Sequence, residues 1–367
     1  MTHDELTLTR LLDAGFLRAT LDTTGAVPAC RQDEVRNLTL AGHGILLIEP
    51  VKPADDCGVV LSAGIHGDET APVELLDEVV GRLLRGKLVS RRAVLLILGN
   101  PPALRVQRRH LQENLNRLFS SDQSGISAEA ERARLLMEVV SRFGAGRSRL
   151  IHFDMHTAIR ASHHERFALY PCGDAPVDAQ YRALCLLQRA GIQAMVRQTR
   201  RSPTFSGWTR QRFGALSFTL ELGRVAPFGH NDLSRLNHLR TAIEELIGAV
   251  DSWGGDGIAG AGGAVGGGAS GAAGEAEVVS ATTSTSDALP LLYEVAHEIV
   301  HSGPGFVLEV ADDTPNFTPL LPGTRVWHDN QQSFRVADET LYLLFPNPGV
   351  GAGQRAGLLV RTIANAG

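Results

Sequence analysis

The feature that most constrains the fold is a turn with the sequence GIHGDET, residues 64–70, that lies between an apolar strand and a helix. Residues 58–63 (GVVLSA) form a short apolar run typical of a buried strand. After the turn, apolar residues recur at helical spacing over residues 73–84, and a second apolar run occupies residues 93–98. Strand, helix and strand in this order predict two parallel strands joined by a right-handed crossover.

Two side chains of this turn, His66 and Glu69, are candidates for chemistry. Ligand sites in parallel sheets lie beyond the carboxyl ends of the strands, and both residues follow such an end. The H-x-x-E spacing is short, however, and on its own it is equally consistent with a loop that carries two incidental polar residues. The other strand ends therefore decide between these interpretations.

Polar groups also mark the ends of two later predicted strands. Residues 149–157 (RLIHFDMHT) predict a strand in which Asp154 and His156 point to the same side, because strand side chains alternate. Residues 216–223 predict another strand, and Glu221 lies near its end. A charge in an otherwise apolar strand is costly unless it is used or paired.

These strand ends supply a donor set that is typical of catalytic zinc, namely His66, Glu69 and His156. Two imidazoles and one carboxylate leave the fourth tetrahedral position open for water or substrate, which predicts one Zn²⁺ per subunit. Asp154 is a candidate for the outer partner that orients His156, and a purely structural hydrogen bond is the alternative.

Two further groups fit hydrolytic chemistry at such a site. Glu221 is the natural general base, since an apolar and partly closed site raises the pKa of a carboxylate toward the working range. The alternative for Glu221 is an ion pair with Arg224 or with one of the other arginines. Residues 105–119 carry too few apolar side chains for a core helix, and their arginines favour binding of an oxyanion or a carboxylate. The alternative for this segment is a solvated face.

Composition limits the other function classes. The formal net charge of −5 and the pI near 6.2 give no general signal for nucleic acid or an anionic membrane surface. The N-terminus lacks the pattern of a signal peptide, and no run approaches the roughly 18 apolar residues of a membrane span. The four cysteines form no C-x-x-C pair, which favours free thiols in the cytoplasm. A small-molecule substrate is expected, and homo-oligomerisation stays open.

The chain divides into three parts on composition and pattern. Residues 1–251 predict an α/β catalytic domain, and residues 252–287 are a Gly/Ala-rich stretch predicted to be a flexible linker or insertion. Residues 288–367 contain short alternating runs separated by Pro, Gly, Asn and Asp, which predict a smaller β domain.

Several motifs, in order along the chain, resemble the succinylglutamate desuccinylase/aspartoacylase family. The motifs are GIHGDETAP (64–72), GNPPAL (99–104), R-x6-NRLF (109–119), DMHTAIR (154–160), ELGRVAPFG (221–229), YEVAHEIVH (293–301), DDTPNFTPL (312–320) and FPNPGV (345–350). The resemblance covers nearly the whole chain except the Gly/Ala-rich stretch. It implies a zinc-carboxypeptidase-like mixed sheet flanked by helices, with the smaller β domain at the C-terminus.

The resemblance also implies an activity and residue roles. The activity is the zinc-dependent hydrolysis of N2-succinyl-L-glutamate to succinate and L-glutamate, the last step of arginine catabolism by the succinyltransferase pathway. By motif position, His66, Glu69 and His156 bind zinc, Glu221 is the catalytic carboxylate and Arg109 polarises the scissile carbonyl. Substrate carboxylates are assigned to three further residues, Asn116, Arg117 and Arg160.

The sequence departs from the family pattern at two places, and two other functions remain as alternatives at this point. Asn114 occupies a position where the family often has Asp, and the Gly/Ala-rich stretch is unlike a compact member. The alternatives are a deacylase for another N-acyl amino acid or a carboxypeptidase, and a protein that binds metal without catalysis. The presence of Glu221 argues against the last.

Overall fold

The computed structural model describes residues 13–22, 29–120, 124–171, 177–198, 200–249, 288–311 and 313–363. The predicted linker, residues 252–287, therefore lies outside the described residues. The helices are α1 (Phe16–Asp22), α2 (Thr70–Leu84), α3 (Pro101–Arg105), α4 (Ala128–Gly144), α5 (Val177–Arg189), α6 (Phe205–Phe213) and α7 (Asn237–Ile247), with 3-10 turns at Leu115–Arg117 and Leu233–Leu236. The strands are β1 (Ala29–Gln32), β2 (Arg36–Gly42), β3 (Ile45–Pro50), β4 (Cys57–Ala63), β5 (Ala93–Leu98), β6 (Arg149–Ala158), β7 (Arg166–Tyr170), β8 (Ala194–Arg197), β9 (Leu216–Arg224), β10 (Leu291–Val300), β11 (Val307–Leu308), β12 (Thr318–Leu320), β13 (Arg325–His328), β14 (Ser333–Arg335), β15 (Leu341–Leu344) and β16 (Arg355–Thr362).

The centre of the fold is a group of four parallel strands in the order β5, β4, β6 and β9. All residues of β4 and β5 are buried, as expected for strands covered on both faces. The predicted parallel pair with a helical crossover, β4–α2–β5, is confirmed. Because these strands run in one direction, the residues that follow their carboxyl ends share one edge of the sheet.

Helices cover both faces of this sheet and form two apolar layers. Val59 and Leu61 of β4 pack with α2, and Val60 faces the opposite layer with α4 and α6. Successive residues of one strand thus enter different cores, which follows from the alternation of side chains along a strand. The two layers bury β4 and β5 along their whole length, up to the edge of the sheet where their carboxyl ends lie.

The C-terminal β domain extends the same sheet instead of standing apart from it. Strand β10 pairs in parallel with β8 over Leu291–Glu294, and β16 then pairs antiparallel with β10. The sheet has 13 strands in the described part of the chain, in the order β1-β2-β3-β5-β4-β6-β9-β7-β8-β10-β16-β15-β12, and a second sheet contains β11, β13 and β14. The predicted mixed α/β fold with a smaller C-terminal β domain is confirmed.

Among the described helices, none combines the length and apolar character needed to cross a bilayer.

Candidate active site

The turn after β4 is fixed by a close approach to α3. Gly64 has φ +68°, a conformation that favours glycine, and it redirects the chain out of the strand. Gly67 lies against the main chain of α3, because a Cβ on this residue would lie 2.5 Å from Leu104 N and would overlap Ala103. The turn then delivers Glu69 as the residue just before helix α2. Sequence and packing together hold His66 and Glu69 at the edge of the sheet.

Replacing Gly67 with Ala should destabilise the protein by about 1–3 kcal/mol, because the added methyl group must displace the main chain of α3. Thermal or denaturant unfolding measures this effect. Gly81→Ala is the matched control, since its Cβ would meet only the flexible end of Arg85 within helix α2. That substitution should be neutral or stabilising by up to about 1 kcal/mol. Equal effects of the two substitutions would contradict the close approach.

His66, Glu69 and His156 form one buried cluster. One ligand atom from each lies within 4.8 Å of the others, and each residue is at most 3% exposed. His66 Nδ1 lies 2.8 Å from Glu69 Oε1, and His156 Nδ1 lies 2.8 Å from Glu69 Oε2. Both imidazoles therefore turn the same type of nitrogen toward the carboxylate. The structure brings together the three residues that the sequence singled out.

The second nitrogen of each imidazole has its own partner outside the cluster. His66 Nε2 lies 3.0 Å from Asn114 Oδ1, and His156 Nε2 lies 3.0 Å from Asp154 Oδ2. Such outer partners fix the orientation and tautomer of imidazoles that bind metals. Asn114 supplies a neutral oxygen at the position where the family resemblance often implies Asp, so it contacts His66 without adding negative charge.

A polar network continues inward from Asp154, and the sequence analysis did not identify it. Ser62 Oγ donates to Asp154 Oδ1 at 2.6 Å and lies 2.9 Å from His152 Nε2, whose Nδ1 contacts Thr209 Oγ1 at 3.0 Å. The sequence pattern H-x-D-x-H in β6 places His152, Asp154 and His156 on one side of the strand, and this pattern could have predicted the network. The network holds the Asp154 carboxylate in place behind the cluster.

The charges of the cluster suit a cation. Burial alone would raise the pKa of Glu69, but the two histidines outweigh it and hold that pKa well below its usual range. Burial opposes protonation of His156, yet Asp154 and Glu69 raise its pKa well above the ordinary value. Burial also lowers the pKa of His66. Two carboxylates thus stabilise one positive charge at this point, and a metal ion can take the place of that charge.

Glu221 lies beside His156 on the neighbouring strand. The two residues are direct partners in the parallel register of β6 and β9. Glu221 is 8% exposed, and its Oε2 is buried with no hydrogen-bond partner. Burial and the nearby negative charge of Glu69 raise the pKa of Glu221 to about 7. Within the described residues, Glu221 forms no ion pair with Arg224 or with any other arginine, which was the alternative that the sequence left open.

The predicted donors Arg109 and Asn116 both contact the cluster. Arg109 Nη1 forms an ion pair with Glu69 Oε1 at 2.8 Å, and its side chain is 33% exposed. Asn116 Nδ2 lies 3.4 Å from His156 Nε2, while its Oδ1 accepts from Phe205 N at 2.9 Å. Asn116 thus links the Leu115–Arg117 turn to α6, a structural contact that the sequence did not indicate.

The predicted carboxylate binders Arg117 and Arg160 are not paired with acids. Arg117 donates to the main-chain oxygen of Asn116 at 2.9 Å, and the protein atoms around its guanidinium lower its pKa to about 10 through loss of solvent. Arg160 has a buried Nη1 without a hydrogen-bond partner. In the described part of the chain, these two arginines form no ion pair. They retain donors for a ligand.

The fold and the cluster define a class: α/β proteins that carry a metal-compatible His–Glu–His site at the carboxyl edge of a helix-covered sheet. The chain belongs to the succinylglutamate desuccinylase/aspartoacylase family. The family's catalytic-domain model, succinylglutamate desuccinylase/aspartoacylase catalytic domain, matches residues 56–247, and its barrel-sandwich hybrid domain matches residues 290–363. The family is enzymatic, and the two matches contain the cluster and the C-terminal strands.

Individual relatives agree with this family. A succinylglutamate desuccinylase from Burkholderia pseudomallei is 39% identical over 328 residues, which cover 87% of this chain and 84% of that protein. A crystal structure of a succinylglutamate desuccinylase from Vibrio parahaemolyticus matches with TM-score 0.80 and 30% identity, and covers 96% of each chain. A second, from Vibrio cholerae, matches with TM-score 0.79 and 29% identity over 95% of this chain and 94% of that one.

Proposed function

We propose that this protein is a zinc-dependent amide hydrolase that cleaves N2-succinyl-L-glutamate to succinate and L-glutamate, the last step of arginine catabolism by the succinyltransferase pathway. The observation that carries the proposal is the buried His66–Glu69–His156 cluster with Glu221 beside it, in a chain whose relatives are named succinylglutamate desuccinylases. A cytoplasmic location is part of the proposal, because free thiols suit a reducing compartment.

The donor set supports zinc as the metal. His66 and His156 each face Glu69 through Nδ1 and are oriented from behind through Nε2, which is the arrangement expected of imidazole ligands with outer partners. Two imidazoles and a carboxylate match catalytic zinc sites that keep an open position. Bound zinc would supply Lewis acidity toward a carbonyl and lower the pKa of a coordinated water to about 7.

Glu221 would move the proton that hydrolysis requires. Water adds to the amide carbon, and Glu221 accepts its proton and delivers it to the leaving nitrogen as the C–N bond breaks. A pKa of about 7 lets one carboxylate act as base and then as acid near neutral pH. The products of hydrolysis are the carboxylate of the acyl group and the free amine.

Arginines would hold the charged parts of the substrate. Arg109 reaches the cluster itself, so its guanidinium can donate to the oxygen on which negative charge develops. Arg117, with Asn116 beside it, and Arg160 would hold carboxylates, because guanidinium groups without acidic partners bind carboxylates through paired hydrogen bonds. An N-acyl amino acid with three carboxylates fits such a site.

The substrate is tested by assaying the zinc-loaded protein against a panel of N-acyl amino acids. We expect kcat/KM for N2-succinyl-L-glutamate to exceed that for N-acetyl-L-aspartate and N-acetyl-L-glutamate by at least about 10²-fold, the order that one or two unpaired charged contacts produce. Equal rates across acyl groups would favour the alternative, a deacylase for other N-acyl amino acids. Absence of turnover with every member would favour a binding protein.

A further inference from the structure

Glu129, in the first turn of α4, is a buried carboxylate that neither the metal-compatible cluster nor the proposed chemistry uses. Its exposed fraction is 2%, and within the described residues it forms no ion pair. Arg132, three residues later in the same helix, donates instead to Leu98 O and Gly99 O, each at 2.7 Å. A buried charge is costly unless hydrogen bonds compensate it, so the partners of Glu129 indicate its role.

Those partners lie in a segment that is distant in sequence, residues 108–114, named the Arg109 segment here. Glu129 Oε1 accepts from Leu111 N at 2.7 Å and from Gln112 N at 3.2 Å. Burial alone would raise the pKa of Glu129, but these two bonds help to hold it below its ordinary value. In return, Gln112 Oε1 accepts from Ala128 N at 3.3 Å at the start of α4. Three hydrogen bonds therefore join the helix to the Arg109 segment.

The Arg109 segment carries two side chains that contact the cluster. Arg109 Nη1 lies 2.8 Å from Glu69 Oε1. Asn114 Oδ1 lies 3.0 Å from His66 Nε2. The two residues that donate to α4 lie between Arg109 and Asn114 in the chain, two positions from each. A restraint on the middle of the segment therefore acts on both groups that reach the cluster.

Other restraints on the middle of the Arg109 segment are few. The described chain forms no helix or strand between α3 and the 3-10 turn that follows the segment. At the start of the segment, Gly67 N donates to Arg108 O at 3.1 Å. Over residues 110–113, all of them described, the main chain has no hydrogen bond other than the two to Glu129. Leu111 is 39% exposed, so its burial contributes little. Glu129 is therefore the main restraint there.

We propose that Glu129 is a positioning residue that acts through Arg109: it fixes the main chain of the Arg109 segment and so holds the guanidinium where negative charge develops on the scissile carbonyl. The proposal rests on the proposed function, which gives Arg109 that role. A donor that is already in place costs no reorganisation during the reaction, and a displacement of about 1 Å can lower the rate by about 10²-fold.

The test compares four single substitutions in protein assayed at saturating zinc with N2-succinyl-L-glutamate. Glu129→Met removes the acceptor, Glu129→Gln keeps an acceptor oxygen without the charge, and Glu129→Asp keeps the charge but shortens the side chain by one methylene. Glu131→Met is the matched control, because Glu131 is exposed and also lies in the first turn of α4. Both acids favour the helix dipole, so the control measures that contribution. The readouts are kcat, KM, zinc content and thermal unfolding.

Glu129→Met should lower kcat by about 10- to 100-fold and change KM by less than about 3-fold, because a displaced donor affects the transition state more than binding. Glu129→Gln should stay within about 3-fold of wild type, Glu129→Asp should lie between Gln and Met, and Glu131→Met should change little. The order of Gln and Asp decides the proposal even if Glu129→Met does not fold. Wild-type kcat in folded Glu129→Met, or an Asp variant more active than the Gln variant, would overturn it.

A double-mutant cycle separates positioning of Arg109 from a general effect on the fold. In an Arg109→Met background, Glu129→Met should lower kcat by less than about 3-fold further, because the group that it positions is absent. An equal loss in both backgrounds would show that Glu129 does not act through Arg109, and it would overturn the proposal.

Failure of the proposed function is separable from failure of this inference. Hydrogen exchange of the Leu111 and Gln112 amides, followed by mass spectrometry, requires no turnover. If wild type does not hydrolyse N2-succinyl-L-glutamate, the proposed function fails, and exchange decides whether Glu129 fixes the segment. Faster exchange at these amides in Glu129→Met than in Glu131→Met supports that restraint. Equal exchange in the two variants overturns it.

Discussion

Replacing Glu221 with Gln should lower kcat by about 10²–10⁴-fold, the usual contribution of a positioned general base. The substitution keeps the shape of the side chain but removes the group that accepts a proton. Glu221 lies beside His156 in the register of β6 and β9 and is not one of the three clustered residues, so zinc content and KM should stay close to those of wild type. Steady-state kinetics with parallel metal analysis measures all three quantities.

The pH profile gives this prediction an independent readout. The base form of Glu221 is required, and burial with the charge of Glu69 raises its pKa to about 7, so kcat/KM should fall as the pH decreases through that region. Zinc bound at the cluster would lower this pKa through its positive charge, which would place the acid limb at or below pH 7. Glu221→Gln should lose the acid limb. Unchanged turnover in this variant would remove Glu221 from the mechanism even if zinc were bound.

Replacing His156 with Ala should abolish activity by removing the metal. His156 would be one of the three metal ligands, and its loss leaves the Glu69 carboxylate buried with one imidazole in place of two. Zinc content should fall from one ion per chain to background, because two protein ligands do not complete a catalytic zinc site. His66→Ala should behave in the same way. Metal analysis of the purified variants measures the result.

The control for the histidine variants is His230→Ala, which changes an exposed histidine. It should retain full zinc content and activity. Circular dichroism and thermal unfolding show whether a variant has lost its fold as well as its metal. The fold should be kept, because His156 belongs to neither of the two apolar layers. Full zinc content in folded His156→Ala would refute the assignment of this ligand.

Much of the central site could be predicted from the sequence because it depends on local rules. The alternation of a strand places Asp154 and His156 on one side, and the Gly-containing turn after a buried strand places His66 and Glu69 at the sheet edge. Both inferences require only that the positions of the strands and their parallel direction are predicted correctly. The parallel register of β6 and β9 then brings Glu221 next to His156.

Contacts between distant segments could not be predicted in this way. Asn114 reaches His66 from a loop whose conformation no periodic pattern encodes, and Asn116 is held by the first residue of α6. The parallel pairing of β8 with β10 joins two regions separated by the Gly/Ala-rich stretch, and neither strand's pattern identifies its partner.

Zinc-dependent hydrolysis at the cluster can be measured as the rate of L-glutamate release from N2-succinyl-L-glutamate by metal-free protein titrated with zinc. We expect no release without metal, a rate that rises in proportion to added zinc, and a plateau at one ion per chain. Release at the full rate from the metal-free chain, or no release from the zinc-loaded chain, would contradict zinc-dependent hydrolysis at the cluster.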